Sequence, residues 1–98
     1  MLAIQSQTFN FTEPGISQYT FNFNNTVKDY GAALQGFNLN FGVGHDHEIQ
    51  SLGAEITNAF LNTDQTEVTV EVQLTLNDNS KNLGKGEIDI VVFADLKT

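Results

Sequence analysis

The sequence predicts an all-β protein, an antiparallel six-stranded β-sandwich built from one domain over residues 1–98. Three observations carry that expectation. Apolar and polar residues alternate through most of the chain, the two-residue period of strands with one buried face. The alternating runs are about eight to ten residues long and are separated by Gly, Asn and Asp, as in sandwiches and barrels. A length of 98 residues supports one modest core and is too short for two.

Each element has its own signature. In the first run Phe9 and Phe11 share a face with Gln5 and Gln7, and Glu13-Pro14-Gly15 ends it, because Pro14 fixes φ and Gly15 supplies the turn. The second run sets Tyr19, Phe21 and Phe23 inward against Gln18, Thr20, Asn22 and Asn24. Residues 24–30 read as a polar connection. A third strand follows over 34–41, with Phe37, Leu39 and Phe41 on one side and Gly36, Asn38 and Asn40 on the other. Gly36 marks a bulge or a close backbone approach, since a strand interior gains nothing from a residue with no side chain.

Residues 49–60 satisfy two periods at once. Ile49, Leu52, Ile56 and Phe60 are spaced as on a helix, while Leu52, Ala54, Ile56 and Phe60 also alternate. A strand is favoured, because both neighbours are strands and Gly53 would weaken a helix by about 1 kcal/mol. Residues 62–65 turn the chain. Val68, Val70, Val72, Leu74 and Leu76 then face Glu67, Thr69, Glu71, Gln73 and Thr75 in a half-buried strand. Asn77-Asp78-Asn79-Ser80 with Gly84 and Gly86 reads as a loop. The last run, 87–96, points Ile88, Ile90, Val92, Ala94 and Leu96 to one side. Its other side starts with Glu87 and Asp89 and turns apolar at Val91 and Phe93, so this strand is either central in the sandwich or covered by another subunit.

Composition bounds the function. Twelve Asp and Glu oppose four Lys and no Arg, for a net charge of -8, and such a surface repels phosphate backbones and anionic lipid. Nucleic acid and membrane are therefore not expected partners. With no cysteine there is no disulfide framework, thiolate nucleophile or thiolate metal site. No apolar run reaches the roughly 18 residues of a membrane helix, and no signal peptide is seen, so a soluble, cytoplasmic protein is expected, with secretion by another route left open. The sequons Asn10-Phe11-Thr12 and Asn24-Asn25-Thr26 read as chance in so Asn-rich a chain.

From Val27 onward, Ala33-Leu34-Gln35-Gly36-Phe37-Asn38-Leu39, an acidic turn, a Val-alternating strand, a loop and the closing strand Ile88 to Leu96 follow in an order that resembles the H-type lectin domain. The likeness covers roughly residues 27–96 and lies in strand order and hydrophobic pattern. It implies a six-stranded antiparallel sandwich, a homotrimer and a galactose-type sugar ligand, above all N-acetylgalactosamine. Sugar sites in that family lean on aromatic and charged side chains near the subunit boundary. This chain departs from the pattern in having no Trp and no Arg.

Candidate ligand-binding residues are Asn38, Asn40, His45, Asp46 and His47. The amides of Asn38 and Asn40, with those of Gln18, Asn22 and Asn24, offer neutral donors and acceptors suited to sugar hydroxyls. In Gly42-Val43-Gly44-His45-Asp46-His47-Glu48 the two histidines of the chain stand two apart. An extended segment would project both imidazoles from one side toward a divalent ion such as zinc or nickel. A third ligand would have to come from another loop or from symmetry-related copies. The alternative is a polar reversal whose histidines make ordinary hydrogen bonds. Gly42-Val43-Gly44 lacks the third glycine of a dinucleotide fingerprint, and no spacing singles out a Ser-His-Asp triad, so the chain is not expected to be an enzyme. The reading from sequence is a non-enzymatic, oligomeric, carbohydrate-binding module; the alternatives are a structural assembly protein and a metal-binding protein using His45 and His47.

Overall fold

The computed structural model describes residues 1–40, 49–78 and 85–97. They form six strands, β1 (Leu2–Phe11), β2 (Gly15–Asn22), β3 (Val27–Asn40), β4 (Ile49–Leu61), β5 (Glu67–Asp78) and β6 (Lys85–Leu96). The protein is all-β, with two three-stranded antiparallel sheets ordered β1-β6-β3 and β2-β5-β4. These are called sheet A and sheet B below. Residues 49–60, which fit both periods, are strand, and Thr57 lies at a shift of register between Ile56 and Asn58.

Burial explains the order of the strands. The two runs with the cleanest apolar faces, β5 and β6, sit at the centres of their sheets. They supply Val68, Val70, Val72, Leu74, Ile88, Ile90, Val92 and Ala94, each at most 1 % exposed. A central strand is flanked on both sides, so its inward residues lose nearly all contact with water. The edge strands add Phe9, Phe11, Phe21 and Val27, and Phe23 follows directly after β2. Sheets of three strands leave the two long sides of the sandwich open, and cross-sheet contacts close them. On one side the Gln5 amide donates to the Asn22 carbonyl at 2.8 Å, and Phe9 meets Tyr19 edge-on at 6.4 Å. On the other the Tyr30 hydroxyl donates to the Ala59 carbonyl at 3.4 Å.

The tight turns follow from side-chain chemistry. Asn62 Oδ1 accepts from the backbone N–H groups of Thr66 and Glu67 at 2.8 and 2.9 Å, which holds the β4–β5 hairpin while Gln65 adopts a left-handed φ of 59°. The same turn accepts from Phe23 N–H through the Thr66 carbonyl and from Val27 N–H through the Gln65 carbonyl, tying the β2–β3 connection to it. Pro14 stands where a boundary is expected, between β1 and β2.

Two sequence expectations, the connection at 24–30 and the bounds of the loop after Asn77, are corrected. Residues 24–30 are not one connection: β3 already begins at Val27, and only 23–26 lie outside the strands. Val27-Lys28-Asp29-Tyr30 reads as polar because two of its residues are charged, yet Val27 is 1 % exposed and Tyr30 packs on the core. Phe37 lies on the side the alternation gives it, paired with Ile88, and is 55 % exposed there. Its strand is an edge, so orientation toward the other sheet does not bring cover. Gly86, Asn77 and Asp78 belong to strands rather than to the loop between them.

Candidate ligand-binding face

Gly36 carries the bulge expected of it. The register of β3 against β6 slips between Leu34 and Gly36, so Gln35 is the extra residue. The slip changes which residues share a side: Leu34 and Phe37, three apart, pair with Ile90 and Ile88 on the core side, while Gly36 pairs with Asp89 on the outer side. Strand pairing then sets out the outer face of sheet A in rows across β1, β6 and β3. Successive rows are Leu2, Asp95 and Asp29; Ile4, Phe93 and Gly31; Ser6, Val91 and Ala33; Thr8, Asp89 and Gly36; Asn10, Glu87 and Asn38.

The face therefore has two ends. At one, Leu2, Ile4 and Phe93 are 65 %, 58 % and 39 % exposed, a cluster of large apolar side chains that a solvated sheet face does not require. Asp29 and Asp95 border it, and Asp95 takes ion pairs from the Met1 ammonium at 3.2 Å and Lys28 at 3.6 Å. The hydrogen bond from that ammonium is the main reason the Asp95 carboxyl lies below its usual range; burial opposes it, and the charge of Lys28 assists. At the other end the rows are polar. Ser6, Gln7, Thr8, Gln35 and Asp89 line a groove of about 700 Å³, and a second, of about 320 Å³, is lined by Asn10, Thr12, Asn38, Lys85 and Glu87 among others. Thr8 donates its hydroxyl to Asp89 Oδ1 at 2.6 Å.

The outer face of sheet B is polar at its centre, with Ile16 and Phe60 exposed on its two edge strands. Glu71, at its centre, accepts from the Gln18 amide at 3.0 Å through Oε2 and from the Thr57 hydroxyl at 2.8 Å through Oε1. Those two donors, Gln18 foremost, hold the Glu71 carboxyl below its ordinary 4.5, with burial opposing them. A lowered carboxylate stabilises the fold fully above its unfolded value, and that contribution is lost as pH falls through the folded value. Glu71→Gln is therefore expected to differ in thermal stability from the parent at pH 7 and to converge on it below pH 4.5, the ordinary value of the acid. Melting curves from pH 7 to 3 check this, and a gap of constant size would contradict it.

The residues singled out from sequence are only partly brought together. Asn38 is exposed on the outer side of sheet A, in the row of Glu87, and Asn40 pairs with Lys85 in the next register position. Gln18 and Asn22 lie on β2, so the amides form no single face: they belong to opposite sides of the sandwich. His45, Asp46 and His47, the candidate metal pair included, lie outside the described residues. Among the described residues no three His, Cys, Asp or Glu side chains are grouped to hold a metal ion. None of the described elements is a helix long and apolar enough to cross a membrane.

Sequence reasoning missed Asp89 and Thr8. The signal was present in two halves, an acid on the outer side of the last strand and a glycine marking a bulge, but their pairing depends on register. The chain matches no family model, no curated protein and no solved structure.

Proposed function

We propose that this protein is a non-enzymatic, oligomeric binding module whose ligand class is carbohydrate. The observation that carries the reading is the polar end of sheet A, where hydroxyl, amide and carboxylate groups of Ser6, Thr8, Gln35 and Asp89 line one groove. Saccharides present hydroxyls that donate and accept at once, and a mixture of amides, hydroxyls and a carboxylate answers both needs. The H-type lectin resemblance points to the same class.

The oligomer is the second half of the reading. The apolar end of sheet A is unlike on its two sides: Leu2 and Ile4 stand out on β1, whereas Gly31 and Ala33 on β3 leave the surface low, with no atom within 4 Å of where a Gly31 Cβ would be. A bulky edge on one copy fits a low edge on the next, a head-to-tail contact that closes into a ring. Three copies per ring is the number the resemblance implies.

A glycan array carrying galactose, N-acetylgalactosamine, glucose and mannose termini tests the ligand class. The expected result is reproducible binding to at least one terminus, and an empty array with an intact oligomer would sink the carbohydrate reading. An assembly protein with no ligand would give that empty array.

A further inference from the structure

We propose that Asp89 is the hydroxyl-binding carboxylate of this protein, and that the bulge at Gln35 and Gly36 exists on this face to leave it accessible. The proposal rests on the carbohydrate reading and names the atoms that would carry it. Asp89 lies on the central strand of sheet A, between Thr8 on one side and Gly36 on the other. Its Oδ1 is engaged by the Thr8 hydroxyl at 2.6 Å, which fixes the plane of the carboxylate. Its Oδ2 is directed to the other side, and the nearest atom to a Cβ built on Gly36 is this oxygen, at 3.9 Å. A Cβ at position 36 would lie in van der Waals contact with Oδ2, and a branched side chain there would stand over it. Glycine keeps the approach clear.

The bulge adds a second element. Without the extra residue, Gln35 rather than Gly36 would be paired with Asp89, and a long side chain would lie against the carboxylate. With it, Gly36 takes the paired position and Gln35 lines the same groove from β3, where its amide has both a donor and an acceptor to give. A hydroxyl that donates to Oδ2 has a neighbouring hydroxyl within reach of that amide.

The position of the groove along the sheet favours a sugar over a simple cation. One row away, beside Ser6, stand Val91 and Ala33, both half-buried, so the polar row Thr8, Asp89 and Gly36 adjoins an apolar surface on β6 and β3. A pyranose ring carries hydroxyls on its edge and C–H groups on its faces and matches such a junction. An alkylammonium ion could donate to the carboxylate and to the Gln35 amide oxygen, but it has no acceptor for the Gln35 amide N–H groups, whereas a sugar hydroxyl answers both.

Calorimetric titration with methyl galactoside, methyl glucoside, methyl mannoside and N-acetylgalactosamine tests the site in the full chain. The variants are Asp89→Asn, which keeps an acceptor for Thr8 but removes the charge, and Gly36→Val, which fills the space over Oδ2. Gln73→Ala, on the outer side of the other sheet, is the control. Both site variants are expected to lose tenfold or more in affinity for whichever of these sugars the parent binds, while melting within a few degrees of it, and the control is expected to bind as the parent does. If the parent binds a sugar and both site variants bind it equally well, the site assignment fails and the carbohydrate reading stands. If the parent binds none of the sugars, both fall. Ethylammonium is the cationic probe, and tighter binding of it than of every sugar, lost in Asp89→Asn, would overturn the assignment of a neutral ligand.

Discussion

Phe21→Ala is expected to cost about 3–5 kcal/mol of stability, against a total of roughly 5–15 kcal/mol for a chain of this size. Phe21 is 1 % exposed, pairs with Val68 in register and has its ring 4.9 Å from that of Tyr19. Truncation removes a ring from a core whose widest layer is three strands, and the sheets above and below are hydrogen-bonded frames that do not collapse freely into the space. At about 4–8 °C per kcal/mol for a small domain, the melting temperature is expected to fall by more than roughly 12 °C. Phe37→Ala is the internal comparison. It changes the same residue type on the same side of a sheet, but at 55 % exposure the expected loss is under about 1 kcal/mol. Urea titrations of both variants check the contrast, and equal losses would mean that Phe37 is covered in solution.

That pair also marks what a strand pattern conveys and what it omits. Alternation reports the side to which a residue points, and for Val68 to Leu74 and Ile88 to Leu96 side and burial coincide because both strands are central. On β3 they separate, since an edge strand turns Phe37 toward the other sheet without covering it. Local sequence also located the bulge at Gly36, because a glycine in a strand has few other uses. It had no means of placing Asp89 opposite that glycine or Thr8 beside it. Thr8 and Asp89 are 81 residues apart, and their meeting depends on the last strand inserting between the first and the third. Central placement follows from the most apolar run seeking the most cover, a competition among all six strands that no single stretch displays. His45 and His47, conspicuous in composition, lie outside the described residues, while the polar groove forms from residues that are individually ordinary.

Ile4→Asp combined with Phe93→Asp is expected to break the proposed oligomer into single chains of 10.8 kDa while leaving the fold intact. Ile4 and Phe93 are paired across β1 and β6, and both point outward, at 58 % and 39 % exposure, so neither substitution opens the core. In the oligomer each introduced carboxylate would be carried into a contact between apolar side chains, where burial of an unpaired charge costs several kcal/mol. The chain already carries a net charge of -8, so the added acids also strengthen repulsion between copies. Light scattering after size exclusion reads the outcome directly: the parent is expected at a multiple of the chain mass, three by the H-type lectin resemblance, and the double variant at one. A parent that runs as a single chain at micromolar concentration would remove the subunit contact. A double variant that stays assembled would move that contact to another face, the half-open side where Leu34 and Phe37 are exposed being the first to examine.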